Sequence, residues 1–260
     1  DDSSPNPTPD NALREQTDAL FPGATEEQAG DLADAIVTAA DAGDDATAEA
    51  RAFDLAELTL TEYYAGRLAA SAAEQPADID QLLTDAFASA GLPDPGIEAA
   101  NFTTDGLLTV VRAAGGTFTT ASKFAGITIP SGATPRTTLL AVRRLPDSST
   151  YAPKEGPLPT LLDQYPLFFD FSFPPEVTLS ADGIIGLCQL SDPASAYYPG
   201  DAAFARLQLA HPDPADRSQI ELLELVDAPF LVCDAATASA QDAALLLRRG
   251  GIGGRVRKFS

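Results

Sequence analysis

The chain has 260 residues, with 38 acids against 16 bases and a formal charge of −22. Phosphate binding needs a basic stripe, so this balance excludes nucleic acid as the main partner. No run approaches 18 apolar residues, so no transmembrane segment is expected. One His, two distant Cys and no Trp or Met leave no His-rich zinc site, no Fe–S cluster and no c-type haem attachment.

The opening DDSSPNPTPD is polar, acidic and Pro-rich. It has the composition of a tether just after a cleaved export signal, which predicts an exported chain, periplasmic or extracellular. A lipid-modified Cys ending the removed segment would tether it to a membrane. Residues 1–24 read as an acidic leader with little periodicity, beginning at Asp1 and Asp2.

A helical domain is predicted over 25–92. Thr25 opens Thr-Glu-Glu-Gln, a capping-box pattern, and Leu32, Ile36 and Ala39 follow at helical spacing. Gly43 suits the C′ position after that helix. Asp45 then caps a second helix reaching about Ala73, with Phe53, Leu60, Tyr64 and Leu68 on one face. Pro76 starts a third, whose stripe is Ile79, Leu82, Leu83 and Phe87, and Gly91 ends it. Three short helices rich in Ala make a small bundle.

After LPDPG at 92–96 the period changes. LLTVVRA, GTFTTAS, GITIP and TTLLAVRRL recur at about ten-residue spacing. FFDFSF, EVTLS, IIGLCQL, FARLQLAH, IELLELV and PFLVCDA continue the series. That pattern predicts an antiparallel β-sandwich over 97–247. FFDFSF alternates, placing Phe169, Phe171 and Phe173 on one face. The fold class is therefore α+β: a helical bundle, then a β-sandwich, then a basic Gly/Arg tail over 248–260.

Residues 115–142 carry Gly115, Gly116, Ile127, Ile129, Pro130, Gly132, Ala133, Thr137 and Thr138. Pro130 and Gly132 make a tight turn between strands. This Gly-Gly, Ile-x-Ile-Pro-x-Gly-Ala and Thr-rich string resembles the start of a ZU5-type β-domain. The resemblance covers about a tenth of the chain. It implies a β-sandwich serving protein interaction or adhesion, with no catalytic residues to carry over.

Cys188 and Cys233 both lie in apolar, strand-like strings. In an exported chain a lone pair of cysteines reads as one disulfide. Closing its 45-residue loop would stabilise the fold by up to about 4 kcal/mol. Two buried thiols are the alternative.

Residues with chemical potential stand in structural contexts. His211 lies in AHPDPAD without a G-x-S-x-G nucleophile elbow, so a structural or exposed role is expected. Asp44–Asp45, Asp78–Asp80 and Asp213–Asp216 lack the spacing of a calcium loop and read as caps and turns. A glycosidase pair would want sugar-stacking aromatics, and there is no Trp. No cofactor, metal or catalytic residue is expected, and a carboxylate-based hydrolase is the remote alternative.

Charge is polarised along the chain. Residues 1–100 hold 22 acids and only Arg14, Arg51 and Arg67, whereas 248–260 hold five bases and no acid. Arg248, Arg249, Arg255, Arg257 and Lys258 surround four glycines. They read either as a basic arm for an acidic partner or anionic lipid headgroups, or as a segment folding back on the acidic half. Tyr197 and Tyr198 form an aromatic loop suited to binding or to packing. These features lead to one expectation: a non-catalytic, exported accessory subunit. It docks through its ends on other subunits of a larger membrane-associated assembly, such as a bacterial respiratory or photosynthetic complex. A cell-surface adhesion module is the alternative.

Overall fold

A computed structural model describes residues 9–69, 76–97, 102, 105–145, 168–174, 177–190, 209–212, 220–223, 225–226 and 248–256. Among the described residues the architecture is α+β, with four helices in the N-terminal part followed by antiparallel sheets. Two compact units divide the chain. The first runs to Phe102 and takes in Leu108–Val110, and the second holds the remainder.

The helices are α1 (Pro9–Leu20), α2 (Ala24–Asp41), α3 (Asp45–Tyr64) and α4 (Pro76–Ser89). Helix α1 corrects the reading of residues 1–24 as a leader without regular structure. Leu13, Thr17, Leu20 and Phe21 recur at i, i+4, i+7 and i+8, and all four are buried. A Thr in that stripe hid the helical period, and its hydroxyl is satisfied by the Arg14 carbonyl at 2.7 Å. Helix α1 packs on α2 and α4, and α3 packs on the same two.

Glycine-centred C-caps end three of the helices. After α2, Gly43 (φ 70°) donates to the Ala40 carbonyl and Asp44 to Ala39. After α3, Gly66 (φ 65°) donates to Tyr63 and Arg67 to Glu62. After α4, Gly91 (φ 69°) donates to Ala88 and Leu92 to Phe87. Each is the paired 5→2 and 6→1 arrangement that satisfies the last carbonyls of a helix. The second cap ends α3 at Tyr64, nine residues short of the expected Ala73.

The N-caps also differ from expectation by a residue or two. Gly23 caps α2 with φ 69°, so Thr25 already lies within the helix, its hydroxyl 3.4 Å from the Pro22 carbonyl. Asp44, not Asp45, caps α3. Its carboxylate accepts the Thr47 amide at 3.1 Å and the Thr47 hydroxyl at 2.7 Å. These bonds, the hydroxyl's foremost, hold the Asp44 carboxyl below its ordinary range.

The apolar stripes meet as their spacing requires. Ile79, Leu82, Leu83 and Phe87 are all buried, and Phe87 meets Phe53 edge to face at 5.0 Å.

The strands are β1 (Leu107–Val111), β2 (Gly116–Thr119), β3 (Ala125–Ile129), β4 (Thr138–Leu145), β5 (Phe168–Ser172), β6 (Gly183–Leu190), β7 (Ala210–Pro212), β8 (Ile220–Leu222), β9 (Leu225–Val226) and β10 (Arg248–Val256). One sheet has the order β1-β4-β5, the second β2-β3-β6-β10-β9, and β7 pairs with β8. Val177–Leu179, expected as a strand, is irregular. It is nonetheless buried at Val177 and Leu179, and Ser180 ties its end to Ala133 through a 2.8 Å backbone bond.

Strand β10 corrects the reading of the basic segment as a free arm. It pairs antiparallel with β6 along most of its length and with β9 at Gly253 and Gly254, with a bulge between Arg248 and Gly251. Ladder bonds come from the backbone and need no particular side chain, so a Gly-rich segment pairs as readily as its neighbours' edges allow. In the register of this sheet, Gly126, Gly186 and Gly253 stand side by side on β3, β6 and β10.

The second unit's core holds Ile127, Ile129, Leu140, Val142 and Phe171. Phe124 stacks on Phe169 at 6.1 Å, joining the end of β3 to β5. Phe169 and Phe171 share a face as their alternation predicts, with rings 6.4 Å apart. Arg144 caps this aromatic row. Its guanidinium lies 5.9 Å from the Phe124 ring centre and donates to Asp105 at 2.9 Å.

The 120–124 turn between β2 and β3 is built on a buried hydroxyl. Thr120 Oγ1 accepts from the amides of Phe124 (3.2 Å) and Ala125 (3.3 Å) and lies 3.1 Å from Ser122 Oγ. Lys123 takes φ 55° to close the turn. Gly115, at φ 67°, has no room for a side chain, because a Cβ there would stand 2.7 Å from the Pro130 carbonyl.

Candidate functional site

The surface of the helical unit is its most distinctive chemical feature. Each arginine of residues 1–100 is engaged by the chain's own acids. Arg14 Nη1 donates to Asp34 at 2.6 Å, with Asp31 at 3.7 Å and Asp18 at 3.8 Å. The Asp34 hydrogen bond dominates and raises the Arg14 pKa. Gly30 makes this cluster feasible: a Cβ there would lie 2.5 Å from the Arg14 guanidinium carbon. The bare helix backbone of α2 is therefore the shelf on which the guanidinium rests.

Arg51 pairs with Asp54 at 2.9 Å, one turn along α3. Arg67 grips Glu62 with two bonds, Nε at 2.8 Å and Nη2 at 2.6 Å. Glu62 is buried, with a side chain only 7% exposed, and the Arg67 hydrogen bonds hold its carboxyl below the ordinary range. Asp80 runs the other way. Its Oδ1 is buried without a partner, and desolvation raises its carboxyl.

With the cations engaged, Glu15, Glu26, Glu27, Asp41 and Asp45 stand exposed. An open groove of about 530 Å³ runs beside α2, lined by Ala24, Glu27, Gln28, Asp31, Leu32, Ala35 and Arg51. Two tyrosines complete the first unit. Tyr63 donates to the Phe102 carbonyl at 3.2 Å, and Tyr64 Oη accepts the Leu108 amide of β1 at 2.8 Å. Burial raises the Tyr64 phenol.

The described residues hold only part of the set singled out from the sequence. Arg248, Arg249 and Arg255 lie on β10, and Arg255 pairs in register with Ile184 of β6. Cys188 lies on β6 opposite Gly251. Cys233, Tyr197, Tyr198, Asp1, Asp2, Arg257 and Lys258 lie outside the described residues. His211 is on β7 opposite Glu221. Among the described residues no group of three His, Cys, Asp or Glu is placed to hold a metal ion, and no helix is long and apolar enough to cross a membrane.

The Arg14 cluster and the α2 groove were not singled out from the sequence. The cluster joins residues 20 apart through a glycine, and only the i, i+4 pair Arg14–Asp18 leaves a local trace. No family model, curated protein or solved structure matches this chain.

Proposed function

We propose that the chain is a non-catalytic, exported accessory subunit that docks on a larger membrane-associated assembly, of the respiratory or photosynthetic kind. One observation carries the reading. All three arginines of residues 1–100 form intramolecular pairs, while Glu15, Glu26, Glu27, Asp41 and Asp45 stand exposed on the same unit with no cation partner among the described residues. Such a surface repels itself and attracts a basic face, which favours fast, salt-sensitive association. Docking requires charge complementarity and no chemistry.

The docking surface is assigned to the helical unit, because α1 and β10 are parts of folded units and not free arms. The test is therefore charge reversal, since truncating either end would also remove a helix or a strand. In native extracts the full chain is expected to co-migrate with a large membrane complex at low salt and to leave it at high salt. Glu15→Lys with Glu26→Lys and Asp41→Lys should abolish co-migration without loss of helical signal. A free monomer in native extracts would overturn the reading. Cell-surface binding that survives the three reversals would favour the adhesion module, with the β unit and its ZU5-like hairpin as the binding part.

A further inference from the structure

We propose that the β6 edge is an interface between copies of this chain: it takes strand β10 from a second copy, while its own β10 fills the other copy's sheet. This exchange stands apart from the docking reading and does not depend on it. Strand β6 has β3 on one side and β10 on the other. Strand β10 matches it from Arg248 opposite Leu190 to Val256 opposite Gly183, whereas β9 meets β10 only at Gly253 and Gly254. Withdrawing β10 leaves GIIGLCQL, a long and mostly apolar strand, with one open edge among the described residues. Such an edge is a template for another strand.

The composition and tether of β10 name the occupant. Four of its nine residues are glycine. Glycine brings no side chain and the largest loss of backbone freedom, so the strand is held mainly by its ladder bonds and opens at low cost. Gly253 and Gly254 adjoin, so a one-residue slip in one direction keeps a glycine opposite Gly186. Gly-rich strands of this kind are prone to exchange. The connection does not confine β10 to one sheet either. Twenty-one residues separate Val226 of β9 from Arg248, a span of up to about 70 Å when extended. A tether of that length holds its strand at an effective concentration on the order of 1 mM, which a second copy can match. Charge treats both sources alike, because residues 248–260 bring five bases and all 38 acids lie in residues 1–247 of either copy. Two exchanged strands recreate every backbone pairing of the single chain in a closed two-fold pair.

The test uses Gly251, which stands opposite Cys188 across the ladder. Every chain is full length and carries Cys233→Ser. A donor adds Gly251→Cys and Cys188→Ser, and an acceptor keeps Cys188 and Gly251. Equilibrated together at about 1 mM and mildly oxidised, they should form a covalent heterodimer. Its yield should be about tenfold above that from a donor with Ser131→Cys, at an exposed turn, and Cys188→Ser. A single chain keeping Cys188 and carrying Gly251→Cys, oxidised at high dilution, should lock β10 in its own sheet. It should remain a monomer on concentration until reductant restores the dimer. The unaltered chain should sediment as a dimer at about 1 mM and as a monomer after roughly hundredfold dilution. Equal cross-linking by the two donors, a locked chain that still dimerises, or an unaltered chain that stays monomeric at about 1 mM would overturn the exchange.

Discussion

Replacing Thr120 by Val tests the claim that one hydroxyl holds the β2–β3 turn. The two side chains have nearly the same volume, so no cavity opens and the effect isolates the hydroxyl. Two buried amides use it as acceptor. The Phe124 amide retains Ser122 Oγ at 3.3 Å, but Thr120 Oγ1 is the one side-chain acceptor of the Ala125 amide among the described residues, and Ala125 is fully buried. One orphaned buried donor costs about 1–3 kcal/mol, so Thr120→Val should destabilise the second unit by about 2 kcal/mol. Ser122→Ala should cost under about 1 kcal/mol, because the Phe124 amide then keeps Thr120. The double variant should exceed the sum of the singles, since the two hydroxyls share the Phe124 amide. The assay is native-state hydrogen exchange at the β3 amides of the full chain, where about 2 kcal/mol appears as roughly thirtyfold faster exchange. Exchange within twofold of the unaltered chain, or strict additivity of the pair, would refute the reasoning.

Other consequences concern the first unit. Tyr64→Phe removes the acceptor of the Leu108 amide and should cost about 1–2 kcal/mol, read from the urea midpoint of the helical signal. Glu62 has its carboxyl depressed by Arg67, so its contribution is complete above the ordinary carboxyl range and is lost as pH falls through the depressed value. Glu62→Gln should therefore destabilise at pH 7 and converge on the unaltered chain in acid, measured by urea unfolding across pH. Asp80 has its carboxyl raised by burial, so its ionised form opposes folding at neutral pH and acid relieves it. Asp80→Asn should raise the pH 7 midpoint and lose that advantage as pH falls; a lower midpoint at pH 7 would count against an unpartnered carboxylate there.

Elements with strong local signals were legible before any coordinates. The Ile79–Phe87 stripe, the Gly43 and Gly91 termini and the Phe169–Phe171 alternation each follow from a period or a backbone preference carried by a few neighbouring residues. What escaped was non-local or compositionally disguised. Helix α1 hides in a Pro- and Asp-rich stretch because one of its four core positions is Thr17. Strand β10 looks like a flexible arm until β6 and β9 supply its hydrogen bonds. Gly66 was a stop signal in plain view, but a run of apolar residues beyond it prolonged the apparent helix. Little of the candidate site could be read in advance. The acidic excess of residues 1–100 was visible, yet the closure of Arg14, Arg51 and Arg67 into their own pairs depends on how the helices pack.

The alignment of Gly126, Gly186 and Gly253 has a mechanical consequence. Cross-strand side-chain pairs stiffen a sheet, and this row crosses three strands without one Cβ. The row is a crease, along which the sheet can curl more sharply than along its Ile-bearing neighbours. Three segments far apart in the chain each place a glycine on the same line, and a one-residue slip of β3 or β6 would take its glycine off the crease and turn its apolar face outward, whereas β10 carries Gly254 beside Gly253. The crease therefore doubles as a register mark for the assembly of the sheet.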